Sequence, residues 1–180
     1  MAESKESIMR AAIGILAKNP HITYSDLAAG IGIGRATLYR HFPNREALLR
    51  EICLYALKQS EVEMMPVFSM NLSAMDTLYA MLEKLIPMGE QLYFLAREYS
   101  ALQDEEIVRI YEGQLTTLQN MVRAAKAEGG IAPDIPDAWI VRIIDNIIYA
   151  AWEAINDGDI ARNDAVELVF RTLIEGLRAK

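Results

Sequence analysis

The segment Gly30–Phe42, GIGIGRATLYRHF, combines two features that suit phosphate binding. Its three glycines allow a backbone to approach an anion closely, and its two arginines supply positive charge. A glycine-rich loop on a nucleotide needs G-x-G-x-x-G after a strand, or G-x-x-x-x-G followed by Lys and Ser or Thr. Neither pattern is present, because the third glycine of the first one falls on Arg35 or on Thr37. The spacing argues against a small-nucleotide site.

A helix-turn-helix explains more of the same residues. Gly32 lies where a short helix has to reverse direction, and glycine adopts a positive φ angle without a Cβ clash. The next helix begins at Gly34 or Arg35, and the four-residue spacing of Leu38 and Phe42 predicts that both pack inward.

The outward face of this second helix carries residue types that DNA recognition uses. Small side chains allow close approach to base edges, and long cations reach phosphates. The face collects Arg35, Ala36, Thr37 and Arg40, with Tyr39 and His41 beside it. A solvated amphipathic helix also fits the pattern, with Tyr39 as half-buried packing and His41 as a plain surface histidine. The order of capping Thr23, turn glycine and polar face favours DNA.

The elements that position these residues are helical almost throughout. Residues 5–18 form the first predicted helix, the pattern Thr23 to Asp26 starts the second, and Asn44 caps a fourth that ends near Met64 before a break at Pro66–Ser73. Further helices are predicted at about 74–88, 90–101, 104–128, 136–156 and 163–178. The sequence thus predicts an all-α fold of about nine helices. A three-helix DNA-binding head in residues 1–50 joins a helical bundle in residues 51–180 for ligand binding and dimerisation.

Composition and charge agree with this division. The 180 residues are 52% hydrophobic and carry a net charge of −7. Residues 1–50 hold seven basic and four acidic side chains (net +3), so the rest carries −10. One cysteine and two histidines leave no material for a disulfide or a metal cluster, and we expect no cofactor. No signal peptide or membrane span is evident, which predicts a soluble, cytoplasmic protein.

Residues 22–49 resemble the DNA-binding signature of the tetracycline-repressor (TetR) family of bacterial regulators. The resemblance rests on Thr23, the string DLA, the turn Gly32, and the strings ATLYRHF and REALL, within about the first fifty residues. One departure is Gly34, where the family often has a serine that caps the recognition helix. Glycine at this position costs only a few tenths of a kcal/mol.

The resemblance implies a role for each matching residue. Thr23 caps the second helix and can donate to a phosphate. The groove-facing residues are Arg35, Ala36, Thr37 and Arg40, and Arg35 is the best candidate for a guanine edge. Tyr39 and His41 match positions that grip phosphate oxygens. Arg45 stands where the family usually has lysine, and it presents a cation to phosphate at the start of a helix.

The last two helices, Ala138–Ile155 and about 163–178, are apolar on enough of their surface to form a symmetric four-helix interface between two copies. An intrachain core is the alternative explanation. A polar stripe of Arg142, Asn146, Tyr149 and Glu153 faces solvent, the dimer rim or a ligand cavity. Candidate residues for a small-molecule pocket are Met88, Tyr93, Arg97, Asn146 and Tyr149.

The sequence therefore predicts a ligand-responsive DNA-binding transcriptional regulator, most simply a repressor. It would bind a palindromic double-stranded operator as a homodimer and be released by an unknown small-molecule effector. An enzyme is disfavoured, since no nucleophile–base motif, phosphate loop or metal cluster is present. The alternative that stays open is a helical protein-interaction module that does not bind DNA.

Overall fold

The structure, a computed structural model, describes residues 4–177, apart from the side chains of residues 96, 97, 99–102 and 177. This part of the chain is helical and contains no strand. Its helices are α1 Lys5–Lys18, α2 Tyr24–Ile31, α3 Arg35–His41, α4 Arg45–Ser69, α5 Ala74–Leu85, α6 Gly89–Leu102, α7 Glu105–Ala127, α8 Asp137–Asp157 and α9 Ala165–Leu177, with a 3₁₀ turn at Ile86–Met88. The predicted all-α fold is confirmed.

Contacts within the chain define two compact units. The first consists of Met1–Lys58 and Glu90–Val108, and the second of Gln59–Gly89 and Arg109–Lys180. Helix α4 contributes residues to both units. The domain boundary at residue 50 stays a prediction.

In the first unit, α1 packs on α2 and α2 on α3. Ser4 begins α1 by accepting the Ser7 N–H at 3.0 Å, and the helix ends before Pro20. The core that holds the three helices together is aliphatic and aromatic: Ile8, Leu16, Leu27, Leu38, Phe42 and Leu48 are all buried. The predicted inward packing of Leu38 and Phe42 is confirmed.

In the second unit, α5 and α8 both pack on α9. Their buried residues recur at helical spacing: Leu78, Leu82, Ile140, Ile144, Val169 and Leu173. Tyr79 also meets Phe170 edge to face, with the ring centroids 5.0 Å apart. No helix in the described chain is long and apolar enough to cross a lipid bilayer.

One predicted boundary is wrong. Helix α4 does not end near Met64 but continues through Pro66 to Ser69. Proline removes one backbone donor and usually kinks or ends a helix. Here Met64 and Val67 are buried on either side of it, and the Ser69 hydroxyl donates to the Pro66 carbonyl at 2.7 Å. Burial of this apolar face holds the last turn in helical form.

Candidate nucleic-acid interface

The turn between α2 and α3 depends on Gly32. Its φ angle is +86°, and its N–H donates to the carbonyls of Ala28 and Ala29. The N–H of Ile33 also donates to the Ala28 carbonyl, at 3.0 Å, which completes a left-handed helix stop. A Cβ at position 32 would meet no atom within 4 Å, so the demand for glycine is conformational and not steric.

The start of α2 is fixed by Thr23, which is exposed. Its hydroxyl oxygen accepts the Asp26 N–H at 3.1 Å, as the sequence predicts for an N-cap. The hydroxyl also donates to the Asp26 carboxylate at 2.7 Å. Since a hydroxyl has one proton, donation to a phosphate requires this contact to break. The phosphate contact of Thr23 remains a prediction.

Helix α3 presents the predicted polar face to solvent. Arg35, Ala36 and Arg40 are exposed, and Thr37 is half-buried. Gly34 stands at the N-cap with extended backbone and no side-chain cap. Because Leu38 and Phe42 anchor the opposite side, the two arginines project from a helix whose orientation is set by the core.

The charges of this unit separate into paired and unpaired groups. Lys5 pairs with Glu51 at 3.0 Å, and Arg10 with Glu6 at 2.7 Å. Arg50 donates to Asp104 at 2.6 Å and to Glu106 at 2.5 Å. Among the described residues, Arg35 and Arg40 are in no such pair. Their charge is therefore available to an external anion.

Tyr39 is 49% exposed, and its ring meets that of Tyr24 edge to face with centroids 5.1 Å apart. The Tyr24 hydroxyl donates to the carbonyl of Phe42 at 2.8 Å, and burial raises the pKa of Tyr24 to about 12. Tyr24 thus links α2 to the end of α3, and its ring packs against the ring of Tyr39. The sequence analysis did not single out Tyr24.

His41 is half-buried beside Phe42. Its Nε2 atom is buried and has no hydrogen-bond partner among the described residues. In this conformation Nε2 does not face solvent, so the geometry gives no support to a phosphate contact through that atom. The role of His41 stays a prediction.

Arg45 is half-buried and bonded to the protein backbone. Its two terminal nitrogens donate to the carbonyls of Ile22, at 2.9 Å, and Pro20, at 2.6 Å. The guanidinium fork therefore ties the start of α4 to the loop that leads into Thr23. This tether was missed, because backbone acceptors more than twenty positions away leave no mark in the sequence.

The five candidate effector residues have different surroundings. Met88 and Tyr93 are half-buried, and the side chain of Arg97 lies outside the described residues. Asn146 is exposed and donates to the Arg142 carbonyl at 2.8 Å, whereas Tyr149 is half-buried. Whether these residues line one pocket remains a prediction. The exposure of Asn146 gives no support to its role as a pocket residue.

The four residues of the polar stripe on α8 also differ in their exposure and contacts. Arg142, Asn146 and Glu153 are exposed, but Tyr149 donates at 3.3 Å to Asp145, one turn earlier. Tyr111 of α7 donates to the other carboxylate oxygen at 2.6 Å. Asp145 was missed, although its four-residue spacing from Tyr149 was visible.

Residues 8–52 match the family model described as bacterial regulatory proteins, tetR family. Over 97% of its length, and 90% of the relative's, the chain is 27% identical to the HTH-type transcriptional repressor LfrR of Mycolicibacterium smegmatis.

Two solved structures share the fold. A crystal structure of the TetR-like regulator LfrR from Mycobacterium smegmatis in complex with proflavine has a TM-score of 0.78 at 24% identity, covering 97% of this chain and 96% of that one. The structure of AibR in complex with isovaleryl coenzyme A and operator DNA has a TM-score of 0.80 at 17% identity, covering 96% and 98%.

Proposed function

Because this chain belongs to the tetR family of bacterial regulatory proteins, we propose that α3 reads an operator in the major groove. The chain is a ligand-responsive DNA-binding transcriptional regulator and not an enzyme. Its proposed contacts are those of the sequence analysis: Thr23, Arg35, Ala36, Thr37, Tyr39, Arg40, His41 and Arg45.

The observation that carries this assignment is the exposed positive charge of Arg35 and Arg40, which no described residue neutralises, on a helix fixed by its buried side. Ala36 between them leaves room for a base edge, so Arg35 is the proposed guanine contact. Arg40 and Tyr39 are the proposed phosphate contacts. Arg45 acts mainly by holding the loop before Thr23 in place.

We propose that a homodimer presents two such heads to a palindromic operator and acts as a repressor in the cytoplasm; the pairing of two-fold protein symmetry with two half-sites supports the dimer. The described surface of α8 favours this assembly. Trp139 is 58% exposed, and a stripe at helical spacing continues from it through half-buried Ile143 and Ile147 to exposed Ala150. An apolar stripe of this kind is typical of a face that another helix covers. We propose that α8 and α9 of two copies pair there.

The effector is proposed to bind within residues 51–180. The relatives favour a small-molecule ligand, since one solved structure contains proflavine and another contains isovaleryl coenzyme A. A ligand that binds one arrangement of the two heads more tightly than the other would release the operator.

Selection from a random DNA pool tests the proposal. We expect the full-length protein to enrich a sequence with two-fold symmetry, and its affinity to fall steeply as salt rises. Arg162→Ala removes an exposed arginine outside the α2–α3 pair, and as a control it should enrich the same sequence as the wild type. Failure to enrich any sequence at low salt would favour the protein-interaction module instead.

A further inference from the structure

The carboxylate of Asp145 lies between two tyrosine hydroxyls inside the second unit. Tyr111 donates to Oδ2 at 2.6 Å and Tyr149 donates to Oδ1 at 3.3 Å. All three residues are half-buried. We call this group the Asp145 cluster.

The Asp145 cluster differs from the other well-bonded aspartates of the chain. Asp137 accepts from Lys126 at 2.6 Å and from Arg123 at 3.1 Å, and these contacts hold the pKa of Asp137 below its usual range. Asp104 is bonded by backbone N–H groups and by Arg50, which lowers its pKa as well. Within the described residues, no cation pairs with Asp145.

Because no cation among the described residues pairs with Asp145, its charged form is unfavourable. Burial raises the pKa of Asp145, and the hydrogen bonds from Tyr111 and Tyr149 oppose this only in part. Burial also raises the pKa of Tyr111, so its hydroxyl stays a neutral donor. A shielded carboxylate that holds only neutral partners gains most from a positively charged group.

We propose that the Asp145 cluster anchors an effector that carries an organic cation, either a protonated amine or a charged aromatic ring. Asp145 supplies the opposite charge, and the faces of Tyr111 and Tyr149 suit a cation or a flat ring. A metal ion fits less well, because hard cations need several oxygen ligands and the cluster has one carboxylate. The proposal rests on the proposed ligand response of this chain.

Fluorescence titration of the full-length protein without DNA tests the anchor. The probes are the cationic dyes proflavine and ethidium, and acridine is the uncharged comparison at mildly alkaline pH. We expect proflavine to bind more tightly than acridine, which has the same ring system. Asp145→Asn should weaken proflavine by ~10- to 100-fold, the loss of a charge-assisted contact, and leave acridine unchanged.

Matched variants separate this role from a structural one. Asp134→Asn removes an exposed carboxylate, and Tyr79→Phe removes a hydroxyl from a ring that packs on Phe170. Both should bind the dyes as the wild type does. Asp145→Glu keeps the charge and should keep the preference for proflavine. If Asp145 serves only to join α7 to α8, Asp145→Asn will instead weaken proflavine and acridine equally.

Equal affinity of the wild type for proflavine and acridine, or no binding of either cationic dye, overturns the anchor even if no variant folds. Failure of the proposed function has a different signature. In that case the protein selects no DNA sequence, while cation binding still depends on Asp145. If DNA is selected but cation binding does not depend on Asp145, only the anchor is wrong.

Discussion

Helix α3 and helix α8 each carry charge that no ion pair within the described residues neutralises, but the two charges lie in different surroundings. Arg35 and Arg40 are in solvent, where an unpaired cation has almost no energetic cost. Asp145 is half-buried, where an unpaired carboxylate is costly. The exposed pair suits a long, repeating anion such as DNA, whereas the shielded acid suits one small cation of matching shape.

The largest expected effect concerns the exposed side of this comparison. Arg35→Ala should reduce discrimination between the selected operator and a single-base variant by about 1–3 kcal/mol, because a bidentate guanine contact is lost. Arg40→Ala should instead weaken all duplexes and lower the salt slope by about one unit. Competition gel shifts at several salt concentrations measure both. Identical losses on every duplex from the two variants would contradict the division of roles.

Arg45 tests whether a cation in the first unit can act by stabilising the fold and not by binding DNA. Arg45→Ala leaves the carbonyls of Pro20 and Ile22 without their charged donor, so we expect a loss of about 1.5 kcal/mol in the free energy of unfolding. Denaturant titration checks this loss, with Arg40→Ala as the exposed control. If the variant is as stable as the wild type, Arg45 does not stabilise the fold, and only its proposed contact with a phosphate remains.

Gly32 sharpens the comparison, since α3 can present its charges only if the turn forms. Gly32→Ala should destabilise the protein by about 1 kcal/mol because alanine is strained at a positive φ angle. Gly113→Ala is the matched control: this glycine lies inside α7 with open space around it, so alanine should stabilise by about 0.5 kcal/mol. Equal shifts in melting temperature would contradict the conformational argument.

The boundaries of the short helices were predictable because their signals are local. Thr23 and Asp26 are three residues apart, and Gly32 stops α2 through carbonyls in its own last turn. The exposed face of α3 followed from the same local pattern. The end of α4 was not predictable from Pro66, since burial of Met64 and Val67 outweighed the local preference.

Arg45 and Asp145 show what local patterns leave out. The guanidinium of Arg45 reaches Ile22, 23 positions earlier, and Tyr111 reaches Asp145 across 34 positions. Such partners are chosen by the packing of helices, which the sequence specifies only collectively. The stripe on α8 indicated a polar face but not which of its neighbours turns inward.

Asp145 should also be detectable through the pH dependence of folding. Its pKa is raised in the folded protein, so the folded state keeps a proton that the unfolded chain has lost. Stability should therefore fall as pH rises from the ordinary aspartate value of 3.8 through the raised value. Asp145→Asn should flatten this fall, and thermal unfolding over a pH series measures the difference. A steeper fall in the variant would contradict the burial argument.

The smallest expected effect concerns the uncapped start of α3. A Cβ at Gly34 would meet only the Thr37 hydroxyl, at 4.0 Å, so serine fits there and can supply the missing cap. Gly34→Ser should stabilise the protein by about 0.3 kcal/mol. Chemical denaturation with Gly34→Ala as the control resolves whether the hydroxyl or the Cβ is responsible.

Trp139 gives this chain an intrinsic optical reporter. The sequence has two tryptophans, and the other, Trp152, is half-buried, so the red edge of the emission spectrum comes chiefly from the indole of Trp139. If two copies meet across the apolar stripe of α8 that begins at Trp139, dilution exposes this indole to water. The emission maximum then moves to longer wavelength, and quenching by iodide increases. The subunit dissociation constant can then be read from unlabelled protein.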